Sequence, residues 1–192
     1  MVAILFRGGE EVWSLRKCLG SEDQHTVFEG EVTGMILAAE LIRVEGYVCT
    51  VAIGTDGQAA IWATTSTRRA LGQHLLAKLQ NHLVLVQHAC GDVAIILRWT
   101  PGHNGIHENE RVDEEAKRAT GGESSPVCLL PNACRGAIPV SRSLVCQNHL
   151  QMIKGKATEF LEKSLRYTWL MQIDTSMPLS RFRKITQDLP HA

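Results

Sequence analysis

The stretch that decides how this chain folds is Arg98-Trp-Thr-Pro-Gly-His-Asn-Gly-Ile-His-Glu-Asn-Glu-Arg-Val-Asp-Glu-Glu-Ala-Lys-Arg-Ala119. The apolar run from Val93 to Leu97 leads into it and predicts a buried strand. Pro101-Gly102 ends the strand, because proline fixes its own φ and glycine adopts conformations that other residues avoid. A helix is then predicted from near Glu108, with one apolar stripe formed by Val112, Ala116 and Ala119.

Two side chains of this stretch can carry chemistry. His103 lies in the predicted loop, and Asp113 lies on the following helix. Both elements are expected at the same end of a sheet. A loop histidine beside a helical carboxylate therefore makes this end a candidate site for phosphate chemistry.

The amino-terminal part of the chain predicts a β-hairpin. Val2 to Phe6 is an apolar strand, and Val12 to Leu19 is a second one with weak alternation. Arg7-Gly8-Gly9-Glu10 between them is a turn, since glycine tolerates the positive φ that tight turns require.

A capped helix follows the hairpin. Thr26 and Glu29 have the spacing of a capping box, in which each side chain accepts a hydrogen bond from the other residue's backbone N–H. The helix is predicted to run to about Val44, and Glu31 lies at the edge of its buried side. Its apolar face is formed by Val32, Met35, Ile36, Ala39 and Ile42.

A second acidic residue follows the next predicted strand. Tyr47 to Gly54 forms that strand, and Asp56 stands at its carboxyl end, where α/β sheets place ligands. The same aspartate could instead cap the following helix, and this alternative stays open. Thr67 to Gln87 predicts a longer helix whose core stripe is Leu71, Leu75, Leu76, Leu79 and Leu83.

Composition sets the broad class. Lysine plus arginine balance aspartate plus glutamate at 20 each, so net charge gives no argument for nucleic acid. Residues 1–122 hold 11 basic against 15 acidic side chains, however, and residues 123–192 hold 9 against 5. The six cysteines are scattered, no signal peptide is visible, and no run approaches the roughly 18 apolar residues of a membrane span. We expect an intracellular protein of the nucleus or cytoplasm, not secreted and without membrane contact.

The chain is expected to have three parts. Residues 1–120 contain the alternating strands and helices, and Gly121 to Pro126 begin a linker that extends over residues 121–149. Residues 150–192 predict a basic, amphipathic helical tail.

The loop and helix motif resembles the carboxyl-terminal signature of the type-1 ribonuclease H family. That signature reads roughly Trp-x-x-Gly-His in the loop and Asn-Glu-x-x-Asp in the helix, as here in 99–103 and 109–113. The resemblance covers roughly residues 1–120. Thr26-Val-Phe-Glu-Gly-Glu31 and Asp56-Gly-Gln-Ala-Ala-Ile61 also look like ribonuclease H domains that follow fungal retroelement reverse transcriptases.

The resemblance implies an α/β fold with a ribonuclease H-like mixed sheet and flanking helices. It implies that Glu31, Asp56 and Asp113 hold Mg²⁺ or Mn²⁺, and that His103 assists product release or proton transfer. Two metal ions about 4 Å apart can stabilise both the attacking and leaving oxygens at phosphorus. The implied substrate is the RNA strand of an RNA–DNA hybrid, cleaved without a small-molecule cofactor.

One family element is missing from the sequence. The family carries a further aspartate, in an Asp-Gly-Ser-like motif on a first strand, whereas Met1 leads directly into the strand that matches the family's second one. Asp23 lies after the hairpin and does not replace that aspartate. We therefore expect a truncated element or a start at an internal methionine, with two strand edges left unpaired or paired with each other.

Three interpretations stay open at this point. The first is a hybrid-cleaving ribonuclease of retroelement origin, active or decayed. The second is a non-catalytic nucleic-acid-binding or interaction domain, which the basic tail favours because phosphate contacts need only lysine and arginine. The third is a metal-free structural module. The sequence does not decide the oligomeric state.

Overall fold

The structure is a computed structural model that describes residues 1–21, 23–66, 72–101, 107–164, 169 and 172, and all structural statements concern these residues. The elements in chain order are β1 (Val2–Arg7), β2 (Glu10–Arg16), α1 (Val27–Glu45), β3 (Thr50–Thr55), α2 (Gln58–Thr65), α3 (Gln73–Cys90), β4 (Ala94–Trp99), α4 (His107–Thr120), α5 (Asn132–Arg135) and α6 (Arg142–Glu162). The fold is mixed α/β, as the sequence predicts.

β1 and β2 form the predicted antiparallel hairpin. Their register pairs Val2 with Arg16 and is interrupted by a bulge between Leu5 and Phe6. Gly8 and Gly9 both have positive φ in the turn, which explains why two glycines stand there.

Helix α1 is the centre of the packing. Its start is the predicted capping box: the Thr26 hydroxyl accepts from the Glu29 backbone N–H, and the Glu29 carboxylate accepts from the Thr26 N–H. These two bonds satisfy backbone donors that have no partner inside the helix. All five residues of the predicted apolar face are buried: Val32, Met35, Ile36, Ala39 and Ile42.

Strands β1 and β3 run in opposite directions along α1. Met1, just before β1, packs its side chain against Gly30 near the start of the helix, and Arg7 at the other end of β1 forms an ion pair with Glu45. β3 runs the other way, since Thr55 at its end contacts Glu31 near the start of α1.

The strands form two sheets instead of the single mixed sheet that the resemblance implies. β3 and β4 pair in parallel with the register Thr50 to Ala94, and in the described part of the chain no backbone ladder joins this pair to the hairpin. The facing edges of β1 and β3 are separated by a cleft. Of the two expected arrangements, edges left unpaired or edges paired with each other, the described residues show the first.

The region after β3 differs from the sequence prediction. The predicted helix from Thr67 to Gln87 corresponds to α3, which begins at Gln73 and extends to Cys90, whereas α2 is the helix expected after Asp56. Residues 67–71, which include the predicted core residue Leu71, lie outside the described residues. α3 packs on α1 through the predicted residues Leu75, Leu76 and Leu79.

Part of the segment predicted as a linker, 121–149, is packed structure. The Ser124 and Ser125 hydroxyls accept backbone N–H bonds from Cys18 and Arg16 at the end of the hairpin. Three apolar side chains of the segment join the main core: Leu130, Cys134 and Ile138. Sequence reasoning missed them because short apolar runs between prolines show no helical or strand period.

The chain divides into two compact units, Met1–Val145 and Cys146–Ala192. Helix α6 begins at Arg142, earlier than the predicted start at residue 150. In the second unit it exposes Lys154 and Lys156. None of the described helices combines the length and apolar character that a membrane crossing requires.

Candidate functional site

Glu31 and Asp56 come together at the carboxyl end of β3. The Thr55 hydroxyl donates to Glu31 Oε2 over 2.5 Å, and the Thr55 Oγ1 accepts from the Gly57 backbone N–H over 3.2 Å. These bonds fix the α1 carboxylate against the turn that carries Asp56. Two acids that are 25 positions apart in sequence thus become neighbours.

The surroundings of Glu31 make its ionised form costly. Burial raises the pKa of the Glu31 carboxyl above its ordinary value of 4.5, and the charge of Asp56 raises it further. The hydrogen bond from Thr55 opposes this effect but does not cancel it. The ionised form of Glu31 is therefore less favourable in this environment than it is in water.

The absence of a side chain at Gly57 leaves space for the Glu31 carboxylate. A Cβ at position 57 would lie 2.7 Å from Glu31 Oε2 and 2.8 Å from its carboxyl carbon. Such distances are too short for non-bonded atoms, so any larger residue would displace the carboxylate. Gly57 is also the N-cap residue of α2, and no side chain caps this helix. Asp56 therefore does not act as the N-cap that the sequence also allowed.

The backbone beside the two acids is fixed from β4. The indole N–H of Trp99 donates to the Asp56 carbonyl over 3.3 Å, and the Gln58 backbone N–H donates to the same carbonyl over 3.0 Å. The tryptophan of the loop motif thus supports the turn that follows the neighbouring strand.

Asp113 reaches the same cleft from α4. It lines the cavity that Glu31 and Asp56 also line. α4 is anchored on the hairpin by Glu115, a buried acid in ion pairs with Arg16, Arg111 and Arg118. Burial works against the ionised form of Glu115, but the three guanidinium groups keep its pKa below the ordinary value.

The fourth predicted residue, His103, lies outside the described residues. The described edge of its loop is held by Asn109, whose side-chain amide donates to the Pro101 carbonyl over 3.0 Å. The asparagine of the Asn-Glu-x-x-Asp motif therefore fastens the loop end to helix α4.

The donor atoms are of the type that Mg²⁺ and Mn²⁺ prefer. They are carboxylate oxygens, and these ions keep several waters and need few protein ligands. Within the described ranges no three His, Cys, Asp or Glu side chains are arranged as a metal-binding group. The residues that could supply such oxygens are the adjacent pair Glu31 and Asp56, and Asp113 lines the same cleft.

Thr55 and Gly57 are the site residues that sequence reasoning missed. Both flank Asp56 in the Thr-Asp-Gly turn, and a hydroxyl beside a terminal aspartate was the available signal. Their roles depend on Glu31, which only the tertiary fold brings to them.

The cleft that holds these residues has a volume of about 290 Å³. It lies between the edges of β1 and β3, and Thr100 after β4 also lines it. The other lining residues belong to α1 and α4: Glu31, Gly34, Met35, Ala38, Leu41, Ile42, Asn109, Val112, Asp113 and Ala116. In comparisons with known proteins, no family model, curated protein or solved structure matches this chain.

Proposed function

We propose that this chain belongs to the type-1 ribonuclease H family, in the retroelement branch, and hydrolyses the RNA strand of RNA–DNA hybrids. The observation that carries the proposal is the contact between Glu31 of α1 and Asp56 after β3, with Asp113 of α4 on the same cleft. These are the three acids that the sequence resemblance selects, and they come from separate elements. His103 completes the proposed set from sequence alone.

In this proposal Glu31 and Asp56 hold a divalent cation, and Asp113 completes its surroundings. The cation would supply charge stabilisation for the attacking water and the leaving oxygen at phosphorus. The chain's own residues orient the acids: Thr55 holds the Glu31 carboxylate, and Trp99 holds the backbone at Asp56. His103 would move a proton near the leaving group or assist product release.

Cleavage of an end-labelled RNA–DNA hybrid, with and without Mn²⁺ or Mg²⁺, tests the proposal. We expect metal-dependent cleavage of the RNA strand, and no cleavage of duplex RNA or duplex DNA. Asp56→Asn and Asp113→Asn should abolish it, whereas His103→Ala should only slow it. Asp92→Asn is the matched control, since Asp92 is an exposed acid in the turn before β4.

Two results would contradict the proposal. Retained cleavage in both acid variants would exclude the carboxylate site. No cleavage at any metal concentration by a folded wild-type chain would exclude catalysis by this polypeptide.

A second candidate function is nucleic-acid binding without catalysis. It is favoured by the exposed lysines of α6, Lys154 and Lys156, which can contact phosphates in any sequence. Binding of the hybrid that weakens steeply with salt, is lost in the double variant of these lysines to glutamine, and occurs without cleavage would select this function.

A further inference from the structure

The cleft between the two sheets is lined by strand edges. On each side the lining residues are consecutive along the chain, Met1 to Leu5 and Val51 to Asp56. A sheet face would contribute only alternate residues, because successive side chains point to opposite faces. Consecutive residues indicate that the backbone edges of β1 and β3 border the cleft.

The ladder of the hairpin shows which β1 groups point into the cleft. The amino-terminal ammonium group of Met1 donates to the Lys17 carbonyl over 2.7 Å, and the Lys17 backbone N–H donates to the Met1 carbonyl over 2.8 Å. In an antiparallel pair such residues alternate with residues whose N–H and C=O point the other way. Ala3 therefore bonds to β2, and Val2 and Ile4 turn their backbone groups toward the cleft.

The same argument applies to β3. The Ala94 N–H donates to the Cys49 carbonyl and the Thr100 N–H donates to the Thr55 carbonyl, which sets the phase of the parallel ladder. By this phase the backbone N–H and C=O groups of Val51 and Ile53 form hydrogen bonds to β4. The backbone groups of Ala52 and Gly54 face the cleft.

The two walls between these edges are apolar over most of their length. Met35, Ala38 and Ile42 of α1 form one wall. Val112 and Ala116 of α4, which also packs on the hairpin, form the other wall. A segment in the cleft would thus meet backbone partners on two sides and apolar side chains above and below it.

The cleft is strongly charged at one end. Glu31, Asp56 and Asp113 line it near the end of β3, whereas the described lining residues toward the start of β3 are uncharged. Charge complementarity therefore favours a basic group at the acidic end.

We propose that the cleft binds an extended peptide segment of a partner polypeptide as a strand between β1 and β3. The segment is apolar on both faces for about five residues, which matches the length of the two edges, and carries lysine or arginine at the acidic end. Since β1 and β3 run in opposite directions, the segment is antiparallel to one edge and parallel to the other in either orientation. The inference does not depend on hybrid cleavage.

Two labelled peptides test the proposal with the full chain. Both are acetylated and amidated and contain the core Val-Ile-Val-Ala-Val, with one lysine at the amino end or at the carboxyl end. We expect saturable binding of at least one in fluorescence anisotropy. Bound peptide should slow amide hydrogen exchange of Ile4, Ala52 and Gly54 at least tenfold, and leave Ala3 and Ile53 nearly unchanged.

Matched peptides separate strand pairing from general apolar binding. The binding peptide with N-methyl groups on alternate residues keeps its side chains but loses donors, and should bind at least tenfold more weakly. Replacing its lysine by glutamate should weaken binding by about tenfold at low salt, because the acidic end repels it. Filling the wall with Ala116→Phe should also reduce binding, and an amide NMR spectrum verifies that this variant is folded.

Four results would overturn the proposal. They are the absence of saturable binding by both peptides, equal binding of the N-methylated form, binding without slowed exchange at Ile4 and Ala52, and peptide-independent dimerisation that protects the same amides. The last result would identify a second copy of this chain as the occupant. Asp56→Asn distinguishes the two proposals, because it should abolish hybrid cleavage but only weaken binding of the lysine peptide, so that the exchange protection persists at saturating peptide.

Discussion

Replacing Glu31 by glutamine should stabilise the metal-free protein while it removes the proposed activity. Glutamine keeps an oxygen that can accept the Thr55 hydrogen bond but removes the charge that burial and Asp56 disfavour. Two carboxylates at about 4 Å repel by about 1 kcal/mol in water and about 4 kcal/mol near a protein surface. Asp56 is exposed, so screening places the gain near the lower figure.

A gain of about 1 kcal/mol corresponds to a rise in Tm of about 2–4 °C for a chain of this size. The pH dependence has a definite sign. The folded pKa of Glu31 lies above its ordinary value of 4.5, so the wild type carries no penalty below pH 4.5. The penalty grows as the pH rises through 4.5 to the folded pKa and is complete above it, and the advantage of glutamine follows the same course.

Thermal unfolding followed by circular dichroism in a metal chelator, between pH 4 and 8, measures this effect. Glu10→Gln is the control, since Glu10 is exposed in β2 and does not line the cleft. Added Mg²⁺ should then raise the Tm of the wild type and not that of Glu31→Gln, because a ligand stabilises only the form that binds it. A Glu31→Gln variant that melts at or below the wild-type temperature near pH 7.5 would refute the reasoning.

Three further predictions follow from particular contacts. Gly57→Ala should displace the Glu31 carboxylate and remove Mg²⁺-dependent stabilisation and cleavage. Gly136→Ala, whose Cβ would have no atom within 4 Å, should change neither. Equal cleavage by both variants would disprove the packing argument. Burial lowers the pKa of His82 below 6.5, although Glu40, which is hydrogen-bonded to its Nε2 at 2.8 Å, opposes this shift. The neutral ring therefore stabilises the fold above pH 6.5, and this contribution is lost as the pH falls through the folded pKa. His82→Gln should lessen the acid-induced drop in Tm, and an unchanged pH profile would count against it. Thr26→Ala should cost about 1 kcal/mol in urea unfolding by removing one half of the capping box, and no loss would mean that the cap is dispensable.

Much of the local structure could be read from the sequence. The capping box at Thr26 and the glycine turn of the hairpin depend on neighbouring residues alone, and both are found where the sequence predicts them. The helix expected after Asp56 is found as α2, whereas the start of the next helix was predicted at Thr67 and is found at Gln73. The packed residues of 121–149 were missed since their burial depends on distant partners.

The candidate site divides in the same way. Sequence alone selected Glu31, Asp56 and Asp113 from motif order. Only the tertiary structure decided that the Glu31 carboxylate meets the Asp56 turn through Thr55, and that the sheet separates into two pairs around an open cleft. The physical reason is range: caps and turns are satisfied within a few residues, whereas carboxylate contacts and strand pairing require the whole chain to fold around α1.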